Sequence, residues 1–421
     1  MATVLALDVG SSSVRAQRFD ERAEPVDELR RAEYGGDDPD EMVRLARDVL
    51  GDAEPDAVSC FGHSLIALDA AGRPLTPVLG WRDVRSASQA RALQARLDGA
   101  DVHARTGQHL HPGYWPAKLA WLAETEPDVF RDASRFVSFP DYLRGEPVTS
   151  LSLASGTGLL DLGSRAWDEE LLDALGLDAG RLPELGDLPV WIDGVCANLG
   201  TGCLGPRAAL SVGTSAALRI LYETDRPRPR PGLFLYLLDG RRVVEGGALS
   251  DGGNLRVWLD RTLREDGPSR DEHGLTFLPF LGGERSTGWN PDATGAVTGL
   301  SFETTPADLR RAAVEGVAFR VAAIAELLPE IGTVVASGGG LRNDPAWIQI
   351  MADALGRPVT ESAVEEASLR GAAVAALERT GYEAAEAPLG EVFEVQEGRA
   401  EAYRSARERQ QRLYEELRGQ D

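Results

Sequence analysis

The chain has 421 residues, too long for one ordinary core, and its 43% hydrophobic and 26% charged residues are typical of folded proteins. Its formal net charge of −23 argues against nucleic acid or an anionic membrane as a partner. Cys60, Cys196 and Cys203 suit neither a disulfide framework nor a zinc site. There is no secretory signal pattern and no membrane-spanning apolar run, so we expect a cytoplasmic protein.

In the N-terminal half, the hydrophobic periodicity alternates between that of strands and that of helices. Residues 1–20 predict a β-hairpin, and Ala57–Ser64 predicts a buried strand. Ala67–Leu75 has the pattern of a strand, a turn and a second strand. Helices are predicted over residues 41–50, 84–98, 116–124 and 166–176.

The pattern restarts near Leu204. Strands are predicted at Val243–Ala248 and Thr333–Ser337, each running into glycines. Helices are predicted over Thr305–Leu328 with Thr305 as its cap, over Pro345–Leu355 and Ser368–Thr380, and from Arg399 onward. This alternation predicts an α/β protein with a sheet at the centre of each half. We expect an N-terminal domain of residues 1–205 and a C-terminal domain of residues 206–421.

Two segments share one plan, in which a strand leads into a tight turn of glycine and hydroxyl residues and then into a second strand. They are Asp8–Arg15 and Ser211–Arg219. Such a turn presents backbone N–H groups and small hydroxyls to a phosphate, although most turns of this kind merely connect strands. The repetition predicts two related halves that hold the phosphates of one nucleotide between them. A P-loop is excluded, because Lys118 is the only lysine and lies in no Gly-Lys-Ser/Thr run.

Five motifs, in this order along the chain, resemble those of the FGGY-type carbohydrate kinases of the actin-like ATPase superfamily. They are Asp8–Arg15; Gly62–Ser64 with Trp81–Arg85; His111–Leu122; Asp193–Gly202; and the glycine-rich segments Gly213–Ser215, Gly246–Ala248, Gly252–Asn254, Leu278–Arg285 and Ser337–Asn343. The resemblance implies two ribonuclease-H-like domains that face each other across a nucleotide and sugar cleft. The third motif, with Leu75–Pro77, is most similar to the gluconate kinase branch.

The resemblance implies that ATP and Mg²⁺ are bound. The residues it assigns to the nucleotide are Gly10, Ser11, Ser12, Ser13, Arg15, Gly213, Thr214, Gly253, Gly338, Gly339, Gly340 and Asn343. Asp8 is assigned to Mg²⁺, because a carboxylate aimed at phosphates is reasonable only with a cation between them. The alternative is that Asp8 caps its own turn. Asn343 either reaches the base or caps the next helix.

The residues that the resemblance assigns to the sugar are His63, Trp81, Asp83, Arg85, Lys118 and Asp193. Planar donors, carboxylate acceptors and an aromatic wall are what a polyol or sugar acid requires. Two alternatives stay open: Asp83 and Arg85 form a surface ion pair, and Lys118 lies on a helix surface instead of pairing with a sugar carboxylate.

Asp193 is the implied catalytic base, which takes the proton of the acceptor hydroxyl as the phosphoryl group arrives. The alternative is an aspartate that caps a helix. The segment before it is shorter than in the family, and Trp191 stands where small residues are usual. Trp191 either narrows the acceptor pocket or fills the space left by the deletion.

These motifs predict a phosphotransferase that moves the γ-phosphate of ATP to a hydroxyl of a sugar or sugar acid, with D-gluconate as the first candidate. Xylulose, glycerol and other polyols are alternative substrates. A catalytically weak sugar or nucleotide sensor and an actin-like structural ATPase are alternative functions. The expected partners are small molecules, with no nucleic acid and no membrane, and both a monomer and a homodimer stay open.

Overall fold

The computed structural model describes residues 3–264, 267–270, 272–342 and 344–418. In the N-terminal half the strands are β1 (Thr3–Val9), β2 (Ser13–Asp20), β3 (Arg30–Glu33), β4 (Ala57–Cys60), β5 (Ile66–Leu68), β6 (Arg135–Val137), β7 (Val148–Ser150), β8 (Leu160–Asp161), β9 (Ala166–Trp167), β10 (Glu184–Gly186) and β11 (Val190–Ile192). The helices are α1 (Pro39–Leu50), α2 (Ala87–Arg96), α3 (Gly99–Thr106), α4 (Trp115–Thr125), α5 (Pro127–Asp132), α6 (Phe139–Arg144), α7 (Leu151–Ser155), α8 (Glu169–Leu175) and α9 (Asp193–Gly200), with a 3-10 turn at Ala179–Arg181.

The C-terminal half repeats the alternation with longer strands. Its strands are β12 (Arg207–Val212), β13 (Ala216–Glu223), β14 (Phe234–Leu237), β15 (Arg242–Leu249), β16 (Thr276–Leu278), β17 (Ala296–Thr298), β18 (Thr333–Ser337), β19 (Val359–Ser362) and β20 (Leu389–Phe393). Its helices are α10 (Gly253–Thr262), α11 (Pro306–Leu327), α12 (Pro345–Leu355), α13 (Ala367–Arg379) and α14 (Glu397–Arg418).

The sheet of the N-terminal half has the order β11-β4-β1-β2-β3. β1 is buried along its length apart from Thr3, and its buried residues are apolar except Asp8, as expected for a central strand covered on both faces. β2 pairs with it antiparallel, whereas β4 is parallel to β1 and β11 is parallel to β4. The carboxyl ends of β1, β4 and β11 therefore meet at one edge of the sheet.

The sheet of the C-terminal half has the order β14-β15-β13-β12-β18-β19-β20. Its centre copies the first sheet, because β12 and β13 form an antiparallel hairpin and β18 lies parallel to β12. The turn after β12 and the glycines after β18 consequently lie at one edge. This edge faces the corresponding edge of the first sheet.

Helices α9 and α13 join the two halves at a very close crossing. A Cβ atom on Gly371 of α13 would lie 1.7 Å from the carbonyl oxygen of Cys196, and one on Gly200 of α9 would lie 1.8 Å from that of Ala367. Only glycine allows the two backbones to approach so closely. Although α13 belongs to the C-terminal half of the sequence, its apolar face packs in the core of the first sheet.

Most predicted elements are confirmed, and the differences cluster near the predicted sugar motif. Thr305 caps α11 through a reciprocal pair of hydrogen bonds with Asp308. The strand predicted over Ala57–Ser64 ends at Cys60, because the backbone of His63 is left-handed, with φ of 68°. In the segment predicted as strand, turn and strand, only β5 forms, with a single bridge from Leu68 to Pro74.

Helix α2 begins at Ala87 rather than at residue 84. The three cysteines are buried and free. Among the described residues, no helix combines the length and apolarity that crossing a membrane requires.

Candidate active site

A cavity of about 500 Å³ lies between the facing edges of the two sheets. Both repeated turns contribute to its wall. Of the predicted site residues it is lined by Gly10, Ser11, Ser12, Arg15, His63, Trp81, Asp193, Gly213, Thr214, Gly338 and Gly339. The cavity is lined by five arginines, namely Arg15, Arg31, Arg219, Arg285 and Arg342. It is lined by only three acidic residues, namely Asp193, Glu365 and Glu366. In a chain of net charge −23, this cleft is a local positive site suited to anionic ligands.

The first turn is closed by a hydrogen bond from the N–H of Gly10 to the carbonyl of Ser13, with N and O 2.9 Å apart. A Cβ on Gly10 would lie 2.9 Å from the Arg15 guanidinium. Ser11 and Ser12 are exposed at the cavity, whereas Ser13 is buried at the start of β2. The turn thus offers small hydroxyls to the cavity, as predicted for a phosphate site.

The second turn forms one end of a stack of glycine backbones. The N–H of Gly253 donates to the carbonyl of Gly213 at 2.8 Å, and the N–H of Gly340 donates to that of Val212 at 2.8 Å. Cβ atoms on Gly253 and Gly338 would each lie 2.5 Å from one of these carbonyl oxygens. Two distant glycine segments therefore converge on the second turn, and a side chain at Gly253 or Gly338 would force the backbones apart.

Asp8 lies beneath the first turn and is not part of the cavity wall. It is 2% exposed, accepts a hydrogen bond from the Ser59 hydroxyl at 2.6 Å, and pairs with Arg15 at 3.0 Å. Burial raises the pKa of Asp8, and the Arg15 charge opposes that rise. Arg15 also pairs with Glu366 at 2.6 Å, which links the two halves at the mouth of the cavity.

Asp193 is the first residue of α9, directly after β11. Its Oδ1 accepts a hydrogen bond from the N–H of Gly194 at 2.6 Å, and the side chain lines the cavity. Burial raises the pKa of Asp193 to about 6, with a further contribution from the nearby charge of Asp8. A carboxyl whose pKa lies near neutrality is suited to proton transfer.

The end of the cavity near Asp193 has an aromatic and guanidinium wall. Trp81 lies between the guanidinium groups of Arg82 and Arg285, whose carbons are 4.9 and 5.4 Å from its ring centroid. The Nε2 of His63 lies 3.3 Å from the Tyr236 hydroxyl. Burial lowers the pKa of His63 well below its usual value, so this ring is neutral at physiological pH.

Arg219 and Arg285 are the two guanidinium groups of this end. Arg219 is buried and donates to the Ser211 hydroxyl at 2.8 Å and to the Asn198 side chain at 3.2 Å. Neither arginine forms a salt bridge with a carboxylate in the parts of the chain that the structure describes. Both guanidinium groups face the cavity, and their charges oppose the rise in the pKa of Asp193.

Seven of the predicted sugar and nucleotide residues are not part of the cavity wall or cannot be placed; three of them lie in or against the two turns, namely Ser13, Gly253 and Gly340. Asp83 and Arg85 pair with each other at 2.6 Å beside a neighbouring cavity of about 300 Å³, and Arg85 lies over the Trp121 ring. Lys118 is buried, with its ammonium donating to main-chain carbonyls. Asn343 lies outside the described residues.

Sequence reasoning missed Arg219, Tyr236 and Arg285. The segment of residues 284–291 is largely structural: Trp289 is buried, and Glu284 is buried against Arg320 and Tyr414. Its neighbour Arg285 faces the cavity instead. The sequence contained a signal for Arg219, because both repeated segments end in an arginine. In the structure Arg219 bonds Ser211 across the second hairpin, as Arg15 bonds Asp8 across the first.

Trp191 does not narrow the cavity. Adjacent residues of a strand face opposite sides, so Ile192 lines the active-site cavity while Trp191 faces a second cavity of about 350 Å³ on the other side of β11. Trp191 is 5% exposed and packs in the core of the first sheet. This placement agrees with the interpretation that Trp191 fills the space left by the deletion.

Several known proteins are similar to this chain. A gluconokinase of Bacillus licheniformis is 28% identical, covering 90% of this chain and 88% of its own length. A xylulose kinase of Streptomyces rubiginosus is 34% identical, covering 79% of this chain and 76% of its own. The crystal structure of a gluconate kinase from Lactobacillus acidophilus shares the fold with a TM-score of 0.88 at 23% identity, covering 99% of this chain and 98% of that one.

The family itself is recognised in both halves. Residues 55–188 match the N-terminal domain of the FGGY family of carbohydrate kinases, and residues 208–378 match its C-terminal domain. The second match covers the central strands of the second sheet, whereas the first match includes β4 but ends before β11 and begins after β1, β2 and β3. The chain belongs to the FGGY family of carbohydrate kinases.

Proposed function

We propose that this carbohydrate kinase transfers the γ-phosphate of ATP to a hydroxyl of a sugar acid, with D-gluconate as the first candidate. The observation that carries the proposal is the cavity that unites Asp193, both phosphate-type turns and two guanidinium groups without carboxylate partners. We assign residues 1–205 to the acceptor side and residues 206–421 to the nucleotide side. The relatives named gluconokinase support the substrate.

The nucleotide is assigned to the glycine stack around Gly213, Gly253 and Gly338–Gly340, with its phosphates directed to the two turns. Flat glycine backbone accepts a purine or ribose closely, because no Cβ intervenes. Thr214 and the hydroxyls of Ser11 and Ser12 would donate to phosphate oxygens. Closure of the two halves over this site would exclude water as a competing acceptor.

Mg²⁺ fits the donor set near the first turn. In kinases this ion is usually held by one or two carboxylates together with substrate phosphates and water. Asp8 is a buried carboxyl near a second one, Asp193, and a cation would offset their mutual repulsion. Asp8 would hold the ion through water, and the bound ion would neutralise charge on the phosphates.

The acceptor is assigned to the end of the cavity between Trp81 and Asp193. The Trp81 ring would pack against the carbon chain, and Asp193 would accept the proton of the attacking hydroxyl. The carboxylate of a sugar acid would pair with Arg285, whose planar fork suits bidentate binding. A neutral polyol would leave that guanidinium without a counter-charge.

Replacing Arg285 with methionine tests the substrate class. We expect the KM for D-gluconate to rise about 10–100-fold, the loss for a hydrogen bond to a charged group, while the KM for neutral D-xylulose changes little. Steady-state kinetics with both acceptors give the ratio. Arg82→Met is the matched control: Arg82 contacts the same Trp81 ring but hydrogen-bonds Ser11 of the first turn, so its loss should not separate charged from neutral acceptors. Equal losses for charged and neutral acceptors would contradict the sugar-acid proposal.

The pH dependence tests the base. Asp193, with a pKa near 6, must be ionised to accept a proton, so kcat/KM is expected to fall about tenfold per pH unit below pH 6. A histidine cannot supply this limb, because burial holds the pKa of His63 well below its usual value and that of His111 at about 3. A profile that stays flat to pH 5, in protein shown to be folded there, would remove Asp193 as the base.

A second candidate substrate is xylulose. The relatives named xylulose kinase reach 34% identity, above the 28% of the gluconokinase, over a smaller part of the chain. In that case Arg285 would bind phosphate or a sugar hydroxyl, and D-xylulose would have the higher kcat/KM in the wild-type enzyme.

A further inference from the structure

The only lysine of the chain is buried behind the acceptor end of the cavity. Lys118 lies in α4, is 1% exposed, and is not part of the cavity wall. Removing an ammonium from water is unfavourable unless its donors are satisfied, so a buried lysine needs specific partners. It cannot contact a substrate directly in this position.

The ammonium of Lys118 donates to two main-chain carbonyls. The Nζ atom lies 2.6 Å from the oxygen of His63 and 2.9 Å from that of Leu79. These carbonyls belong to the two segments whose side chains form the acceptor wall: His63 itself, and Trp81 two residues beyond Leu79. The segments also exchange hydrogen bonds between Leu65 and Leu79, at 2.9 and 3.1 Å.

The backbone at His63 needs such support. Its φ of 68° is uncommon for a residue with a side chain, and this conformation persists only where surrounding contacts hold it. Lys118 binds the carbonyl, and the carbonyl of Gly156 binds the imidazole Nδ1. Together these contacts aim the His63 ring at Tyr236.

We propose that Lys118 is a positioning residue for the acceptor: by binding the carbonyls of His63 and Leu79, it fixes His63 and Trp81 at the spacing that the substrate requires. The inference rests on the proposed function, which places the acceptor at this end of the cavity. In this role Lys118 contributes to substrate recognition without touching the substrate. The role replaces the sequence-based expectation that Lys118 pairs with a sugar carboxylate.

The charge on Lys118 is sensitive to pH because of where it lies. Burial lowers its pKa to about 7, the nearby Arg85 contributes in the same direction, and Asp83 opposes both. The Lys118 charge in turn lowers the pKa of His63 and His111, the other titratable groups that face it. Above neutral pH the two charge-assisted hydrogen bonds become ordinary ones, so acceptor binding is expected to weaken.

Replacing Lys118 with methionine removes both donors at similar length. We expect the KM for the acceptor to rise at least tenfold and the KM for ATP to change less than twofold, because the glycine stack is in the other half. Lys118→Arg, which keeps a donor, should recover part of the loss. A lower thermal midpoint with unchanged acceptor KM, or equal rises in both KM values, would overturn the positioning role.

A measurement on the wild-type protein does not depend on the variants folding. Lysine labelled with ¹⁵N gives a single side-chain ammonium signal, since the chain has one lysine. We expect this signal to titrate near neutral pH, and saturating D-gluconate to shift its midpoint while ADP does not. A midpoint unchanged by an acceptor that the enzyme turns over would overturn the proposal.

The two proposals fail in different ways. A wild-type enzyme that turns over none of D-gluconate, D-xylulose and glycerol would overturn both of them. Turnover of one of these acceptors with an unchanged acceptor KM in Lys118→Met would overturn only the positioning role.

Discussion

Replacing Asp193 with asparagine is expected to lower kcat by about 10²–10⁴-fold, the usual effect of losing a general base, while ADP binding stays unchanged. The amide cannot accept the proton of the acceptor hydroxyl, yet it keeps the shape of the side chain and its hydrogen bond from Gly194. The nucleotide residues lie on other elements. Steady-state turnover and calorimetric titration of ADP measure the two parts of the prediction.

A matched control is Asp132→Asn, which changes an exposed carboxylate that pairs with Arg131 on the surface. Its kcat should equal that of the wild type. If Asp193→Asn lowers kcat less than about tenfold, the base assignment is wrong, because that loss lies below the usual range.

Replacing Gly371 with alanine should destabilise the protein by about 3 kcal/mol, at the upper end of the range for overpacked cores. The new Cβ would lie 1.7 Å from the carbonyl oxygen of Cys196. A flexible side chain could move aside, but this atom belongs to the backbone of α9, so the helices must separate. Since Asp193 begins α9, kcat should fall as well. Chemical denaturation followed by tryptophan fluorescence measures the loss.

Gly398→Ala is the control for this substitution. Gly398 is also helical, but nothing lies within 4 Å of an added Cβ there. Alanine favours a helix over glycine by up to about 1 kcal/mol, so this variant should be as stable as the wild type or slightly more stable. If Gly371→Ala matched it in stability, the close helix crossing would not limit the fold.

Local patterns were sufficient to predict the two turns and some of the strands and helices around the cavity. Both glycine and hydroxyl segments form tight turns between paired strands, with four residues between Val9 and Val14 in the first and three between Val212 and Ala216 in the second. Thr305 and Pro306 marked the start of α11 for the same local reason. The strand after Ala57 could not be bounded, because its end depends on the left-handed backbone of His63, which distant groups at Lys118 and Gly156 hold in place.

The acceptor wall was harder to predict because its members are far apart in the chain. Trp81 and Arg285 are separated by about two hundred residues and meet only when the two halves fold. Asp83 and Arg85 were assigned to the sugar together with Trp81, which is close to them in the sequence. Short loops, however, turn neighbouring side chains in different directions. Arg285 faces the cavity, whereas its neighbour Glu284 faces the core. Packing against residues that are distant in the chain decides this difference, so the local sequence does not predict it.

The arrangement divides the chemistry between the halves. The first supplies Asp193, Trp81 and one phosphate-type turn, and the second supplies the glycine stack with Arg285. The Arg15 and Glu366 pair joins them at the mouth of the cavity. Under the proposed function, a phosphoryl group that passes between the two halves would be held from both sides, and neither half would contain the complete site.

The most direct test is the release of ADP from ATP with D-gluconate, D-xylulose and glycerol, in the wild type and in Asp193→Asn. The account predicts saturable turnover with one acceptor, highest for D-gluconate, and its loss in the variant. ADP release that needs no acceptor, or that is the same in Asp193→Asn, would contradict a kinase that uses this carboxylate to activate a sugar hydroxyl.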